Sequence, residues 1–220
     1  MHEDLKNIPS RILDMALNAL SQANTHAVFY DPGKEHWDKM SVLNTALAGE
    51  LCLKAIIATE HPLLIFRDLF KLEQQNSEDL SIEHIIKNGR TYNFEDLPKL
   101  LWVATGERLA DMKSFETLRR ARNSIQHFCP PDNVDFRKLS LEFIYKNIDP
   151  LLRKYFGVYA IEYHEDEFCD YVVNCLINHE LLFSIPKDME FSEINFDSEL
   201  SKHSNEYRQR LTQYNSRKLP

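Results

Sequence analysis

The stretch Val42 to Ala58 reads VLNTALAGELCLKAIIA. Leucine, alanine, glutamate and lysine are good helix formers, and Pro62, the next proline, stops a helix that arrives from that side. A helix from Trp37 to about Thr59 is therefore expected. Projected at ~100° per residue, Leu43, Ala46, Leu47, Lys54 and Ile57 share one face, and Glu50 falls close to its middle. A carboxylate in that position should be buried or line a cleft, and it needs a cation beside it.

Working outward from this segment, the same periodicity recurs. Ser10 is a credible N-cap for a first helix in which Ile12, Leu13, Ala16, Leu17 and Leu20 repeat at helical spacing. Short helices are expected over Leu63–Leu72 and Ser81–Lys87, and another through NFEDLPKLLWVA after the breaker NGR. Further helices run over Glu107–Phe128, from Asp135 with a bend at Pro150, and over Asp166–Phe183. Beyond Pro186 the chain is polar and reads as a loosely docked helix or as disorder. With five glycines in the whole chain, the expected class is all-α. The division is a helical domain over 1–157, an appended helix over 158–185 and a polar tail over 186–220.

Charge and cysteines narrow the function classes. A net charge of −8 and a pI near 5.6 argue against a protein that coats polyanions at large, so any nucleic-acid contact must use a local basic patch. The amino terminus MHEDLKNIPS lacks the apolar core of a secretory signal, and no run approaches the ~18 apolar residues of a membrane span. The expectation is a cytoplasmic protein with no membrane partner. Cys52, Cys129, Cys169 and Cys175 form no CxxC pair and read as reduced thiols. HEDEFCD, His164 to Asp170, holds His, Cys and carboxylates without a zinc spacing, so no metal and no cofactor is expected. Phe66, Phe70, Trp102 and Phe143 sit at core-like positions and read as packing.

The second informative stretch is LRRARNSIQHFCPP, Leu118 to Pro131. Its apolar face is Phe115, Leu118, Ala121, Ile125 and Phe128, with Arg122 at the edge. An Arg followed by four to six residues and then His occurs twice, from Arg120 and from Arg122, both ending on His127. Nine histidines and twelve arginines in 220 residues give about 1.5 such matches by chance, so spacing alone carries nothing. Context must supply the weight. Arg122 and Glu50 are both charges on apolar faces, which suggests an ion pair between their helices; Lys54, four residues on, is the alternative partner for Glu50. His127, just before a double proline, also suits a plain helix C-terminal donor.

With Arg122-Asn123 and His127 late on an amphipathic helix, and Glu50 and Lys54 on a long earlier one, the chain resembles the HEPN superfamily. These are helical domains, many of them endoribonucleases with an Arg-x4–6-His motif. The resemblance rests on RNSIQH, Arg122 to His127, within FETLRRARNSIQHF, and on ALAGELCLKAII; it covers roughly Ile8 to Tyr155. Some relatives carry a tyrosine two residues after the histidine, a site of regulatory nucleotide addition, where this chain has Cys129.

The resemblance implies metal-independent cleavage of RNA to a 2',3'-cyclic phosphate and a 5'-hydroxyl, in a toxin or antiviral defence setting. His127 would exchange protons, Arg122 would stabilise the phosphorane, and Asn123, four residues before His127, would orient imidazole or phosphate. Arg119, Arg120 and Lys113 would bind the RNA backbone, with Glu50 supporting Arg122. On an ideal helix Arg122 and His127 diverge by ~140°, so a homodimer with a shared groove is expected, with an antitoxin or other regulatory partner possible in that setting. The alternative is a non-catalytic HEPN-like dimerisation or nucleotide-sensing module.

Overall fold

Among the described residues nearly all regular structure is helical, and helices end on residues with a chemical reason to be there, such as Asp111 before α5 and Gly106 after α4. The computed structural model describes residues 3–29, 33–34, 36–69, 81–129 and 133–216. In order these form α1 (Ile8–Val28), α2 (Trp37–Glu60), β1 (Phe66–Arg67), α3 (Ile82–Asn88), β2 (Arg90–Thr91) and α4 (Leu97–Thr105). There follow α5 (Met112–His127), α6 (Phe136–Phe143), α7 (Asp149–Phe156), α8 (Asp170–Asn178), α9 (Phe196–Ser201) and α10 (Asn205–Ser216). The class is all-α, with β1 and β2 as one short antiparallel ladder.

Several boundaries move from their expected places. α1 starts before Ser10, whose hydroxyl donates back to the Asn7 carbonyl at 3.0 Å instead of capping. α5 starts at Met112, not Glu107. Gly106, left-handed at φ 80, has already closed α4, and Asp111 caps α5 by accepting from Ser114 N at 3.0 Å. α8 is shorter than Asp166–Phe183, and Glu180 turns left-handed at φ 52 just after it. The apolar run after Pro62 makes a 3-10 turn, Pro62–Ile65, and then β1 in place of a helix; short apolar runs do not discriminate the two. The rest of that expected helix, to Leu72, lies largely outside the described residues.

α2 is not the one-sided amphipathic helix of the projection. Val42, Thr45, Ala48, Cys52, Leu53 and Ile56 are buried off the expected face, while Leu47 on it is exposed. A helix buried nearly all round needs little amphipathicity, because it meets protein on every side. By length and composition α2 is apolar enough to cross a membrane, which the sequence was not expected to contain, yet 67% of that window is buried within the protein.

Contacts divide the chain into two units: Met1–Ala16 with Glu50–Arg108, and Leu17–Gly49 with Leu109–Pro220. In the first, Leu53, Ile57, Ile65, Phe94 and Leu101 are buried, and Lys54, although buried, is satisfied by Glu50 and Thr91.

The second unit is tied by buried polar groups. A five-residue π-helical segment, Ile144–Ile148, joins α6 to α7 one turn ahead of Pro150, where the missing N–H and the bulky ring disturb an α-helix. From this segment Asn147 accepts from Asp111 N at 2.8 Å and donates to the Asp111 carbonyl at 3.1 Å and to Ser114 Oγ at 2.9 Å. Arg137 donates to the carbonyls of Ala27, at 2.7 Å, and Val28, neutralising the negative end of α1. α10 is docked through Tyr207 and Leu211, both buried, with the Tyr207 hydroxyl donating to the Leu181 carbonyl at 2.7 Å.

Candidate functional site

α5 is anchored at one end and open at the other. At its start the Asp111 cap is reinforced by Asn147 and by Lys146, 3.5 Å from Asp111 Oδ2. Burial alone would raise the Asp111 pKa, but the Ser114 N–H and the Lys146 charge outweigh it and hold the carboxyl below its ordinary value. Phe115, Leu118 and Ala121 are buried, and the Phe115 ring lies 6.2 Å from that of Phe143.

Past Ala121 the expected apolar face gives out. Ile125 is only half-buried and Phe128 is 90% exposed. Phe128 is not the core residue of the projection because the helix ends at His127; at φ −146, ψ −102 it has left helical geometry, so the helical stripe no longer applies to it.

The motif residues occupy this open end. Arg122 and Asn123 are half-buried and His127 is exposed. The Arg122 guanidinium donates to Asn123 Oδ1 at 3.2 Å, a neutral partner, and among the described residues no carboxylate pairs with its charge. His127 is the last helical residue, and among the described residues its ring has no hydrogen-bond partner. At 1.5 Å per residue the five-residue separation of Arg122 and His127 is about 7.5 Å along the axis, in addition to their angular divergence.

The supporting residues have partners of their own. Glu50 is held by Lys54 at 2.6 Å, and Lys54 also donates to Thr91 Oγ1 at 2.9 Å. Glu50 belongs to the first unit and Arg122 to the second, and each finds its partner within its own. Glu50's need for a cation is thus met locally, by the alternative partner Lys54. Arg119 is paired with Glu116 at 2.9 Å one turn earlier. Arg120 is exposed, about 10 Å along the helix from His127, and Lys113, also exposed, is about 20 Å away at the anchored end. Among the described residues no group of three or more His, Cys, Asp or Glu side chains is placed to hold a metal ion.

Two features of the first unit escaped the sequence reading. Trp102, expected in the core, is 48% exposed, and Arg108 stacks 4.7 Å from its ring centre. Arg67 and Arg90 face each other across the ladder. Four-residue periodicity cannot reveal either, but NGR followed by alternating residues was a signal for a strand after a turn. Phe143 is fully buried and Phe66 half-buried, in keeping with packing; Phe70 lies outside the described residues. Comparison with protein-family models, with curated proteins and with solved structures yields no match.

Proposed function

We propose that the chain is a HEPN-like, metal-independent endoribonuclease that acts as a homodimer. The observation that carries this reading is the placement of Arg122, Asn123 and His127 at the solvent-reachable end of a helix whose other end is fixed by buried polar contacts. A helix anchored at its other end that presents a guanidinium and an imidazole with no carboxylate partner among the described residues suits phosphoryl chemistry, where most of the barrier is lowered by positioned charge and proton transfer.

In the step proposed, His127 of one copy takes the 2'-hydroxyl proton as O2' bonds to phosphorus. The P–O5' bond breaks, and protonated His127 of the second copy delivers a proton to O5'. The two Arg122 guanidiniums sit against the phosphorane oxygens. One copy alone places Arg122 and His127 on diverging sides of α5, and a two-fold pair brings complementary members together. Phe128, apolar and almost wholly exposed beside the motif, supplies a contact for that second copy.

Phe128 suits a non-catalytic dimerisation module equally well, and one assay separates the two. Pure protein is incubated with labelled total RNA in excess chelator, and product ends are typed. Cleavage leaving 2',3'-cyclic phosphate, lost in both Arg122→Ala and His127→Ala and partly recovered on mixing the two variants, supports the nuclease. No cleavage, or cleavage unchanged in His127→Ala, refutes it. The setting in a toxin or defence system rests on the resemblance alone.

A further inference from the structure

We infer that the β1–β2 ladder of the first unit carries a phosphate-binding site, formed by Arg67 and Arg90, that takes the backbone of single-stranded RNA. The register pairs Phe66 with Thr91 and Arg67 with Arg90. Residues directly opposite in an antiparallel pair extend from the same face, so the two arginines share one face and Phe66 and Thr91 the other. The second face is accounted for by packing: Thr91 Oγ1 accepts from buried Lys54, and Phe66 lies against Gly89.

The arginine face is not accounted for by the fold. Like charges directly across a ladder oppose pairing. Among the described residues neither guanidinium has a carboxylate or carbonyl partner, and the buried Arg67 Nε has no acceptor. An unpaired buried donor next to a like charge is a cost that an anionic ligand removes. Two planar forks on one short ladder match the oxygens of a phosphodiester. Arg90, just after Gly89, is exposed, so the arginine face reaches solvent.

Gly89 fixes this geometry. A Cβ there would lie 2.4 Å from the Ile85 carbonyl oxygen and 2.7 Å from the Phe66 ring, so only glycine lets α3 turn directly into β2 opposite Arg67. The chain as a whole carries −8, and RNA approaches it only where cations are concentrated. The choice of RNA over a free phosphate or mononucleotide rests on the proposed nuclease reading; the anion chemistry rests on the arginines.

The test is binding of a fluorescent single-stranded RNA oligomer to the full chain in a His127→Ala background, followed by anisotropy across a salt series. Arg67→Gln/Arg90→Gln should weaken binding at least about tenfold and flatten the log–log salt slope by about 1.4, the value for two lost single-strand phosphate contacts. Lys6→Gln/Lys202→Gln removes the same net charge elsewhere and should change affinity less than about twofold. Arg90→Gln alone, at an exposed position, keeps the test valid if the double variant unfolds by circular dichroism; it should flatten the slope by about 0.7. Slope and affinity unchanged in both arginine variants overturn the site. Arginine-dependent binding of AMP or inorganic phosphate without arginine-dependent RNA binding overturns RNA as the occupant. Cleavage in chelator without arginine-dependent binding sinks this site and spares the nuclease; arginine-dependent binding without any cleavage does the reverse.

Discussion

Replacing Asp149 by asparagine probes the most deeply buried carboxylate of the second unit. Asp149 opens α7, and its two oxygens accept from Ala160 N at 3.1 Å and Ser184 N at 2.9 Å, joining three segments. Burial pushes its pKa up to about 6, against the opposing pull of the Ser184 and Ala160 hydrogen bonds and the Arg153 charge. An acid raised from 3.8 to about 6 binds its proton more tightly in the folded than in the unfolded chain. The stability this supplies is complete below about pH 3.8, declines as pH rises and is gone above about pH 6; at ~1.4 kcal/mol per unit it amounts to roughly 3 kcal/mol.

In Asp149→Asn one oxygen can still accept from Ala160, but an amide N–H₂ faces the Ser184 N–H, donor against donor, at a cost of about 1–3 kcal/mol at every pH. Urea unfolding of both proteins should show wild type as the more stable. The gap should widen by about 2 kcal/mol between about pH 7.5 and about pH 4.5, since other titrating groups cancel in the comparison. A gap that is constant or narrows on acidification would refute the reasoning, because it would mean that Asp149 is not held in its protonated form.

Other consequences follow from single side chains. Asn147→Ala removes three hydrogen bonds between the π-helical segment and the start of α5 and should cost about 2–4 kcal/mol in urea unfolding, loosening the anchored end of the motif helix. Tyr207→Phe, which deletes only the hydroxyl bonded to Leu181, should cost about 1 kcal/mol, and its hydrogen exchange should rise in α10 before the rest of the unit. Gly89→Ala should destabilise the protein by at least about 2 kcal/mol through overpacking and weaken RNA binding with it; an unchanged melting temperature would show that the junction has more room than its contacts indicate. His127→Ala, at an exposed helix end, should leave the melting temperature within about 2 °C while abolishing cleavage, checked by calorimetry beside the RNA assay.

The helical class was legible from local chemistry alone. Few glycines and helix-forming runs act within one turn; the one cap expected from sequence, Ser10, does not cap, whereas Ser81, Asp111 and Asp135, which were not singled out, do. The motif helix and its residues Arg122, Asn123 and His127 were equally visible, because each is a matter of residue type and helical spacing. Partnership was not. Both Glu50 and Arg122 looked like charges in need of each other, yet Lys54 pairs with Glu50 at short range while Arg122 donates only to the neutral Asn123 amide, a choice set by rotamers and neighbours that a helical projection does not contain. The projection also failed where burial depends on what lies opposite: α2 is buried nearly all round, while Trp102 and Phe128 stand in solvent. Most non-local of all is the opposition of Arg67 and Arg90. They are 23 residues apart, and only strand register, fixed by the turn at Gly89 and by backbone pairing, brings two like charges onto one face.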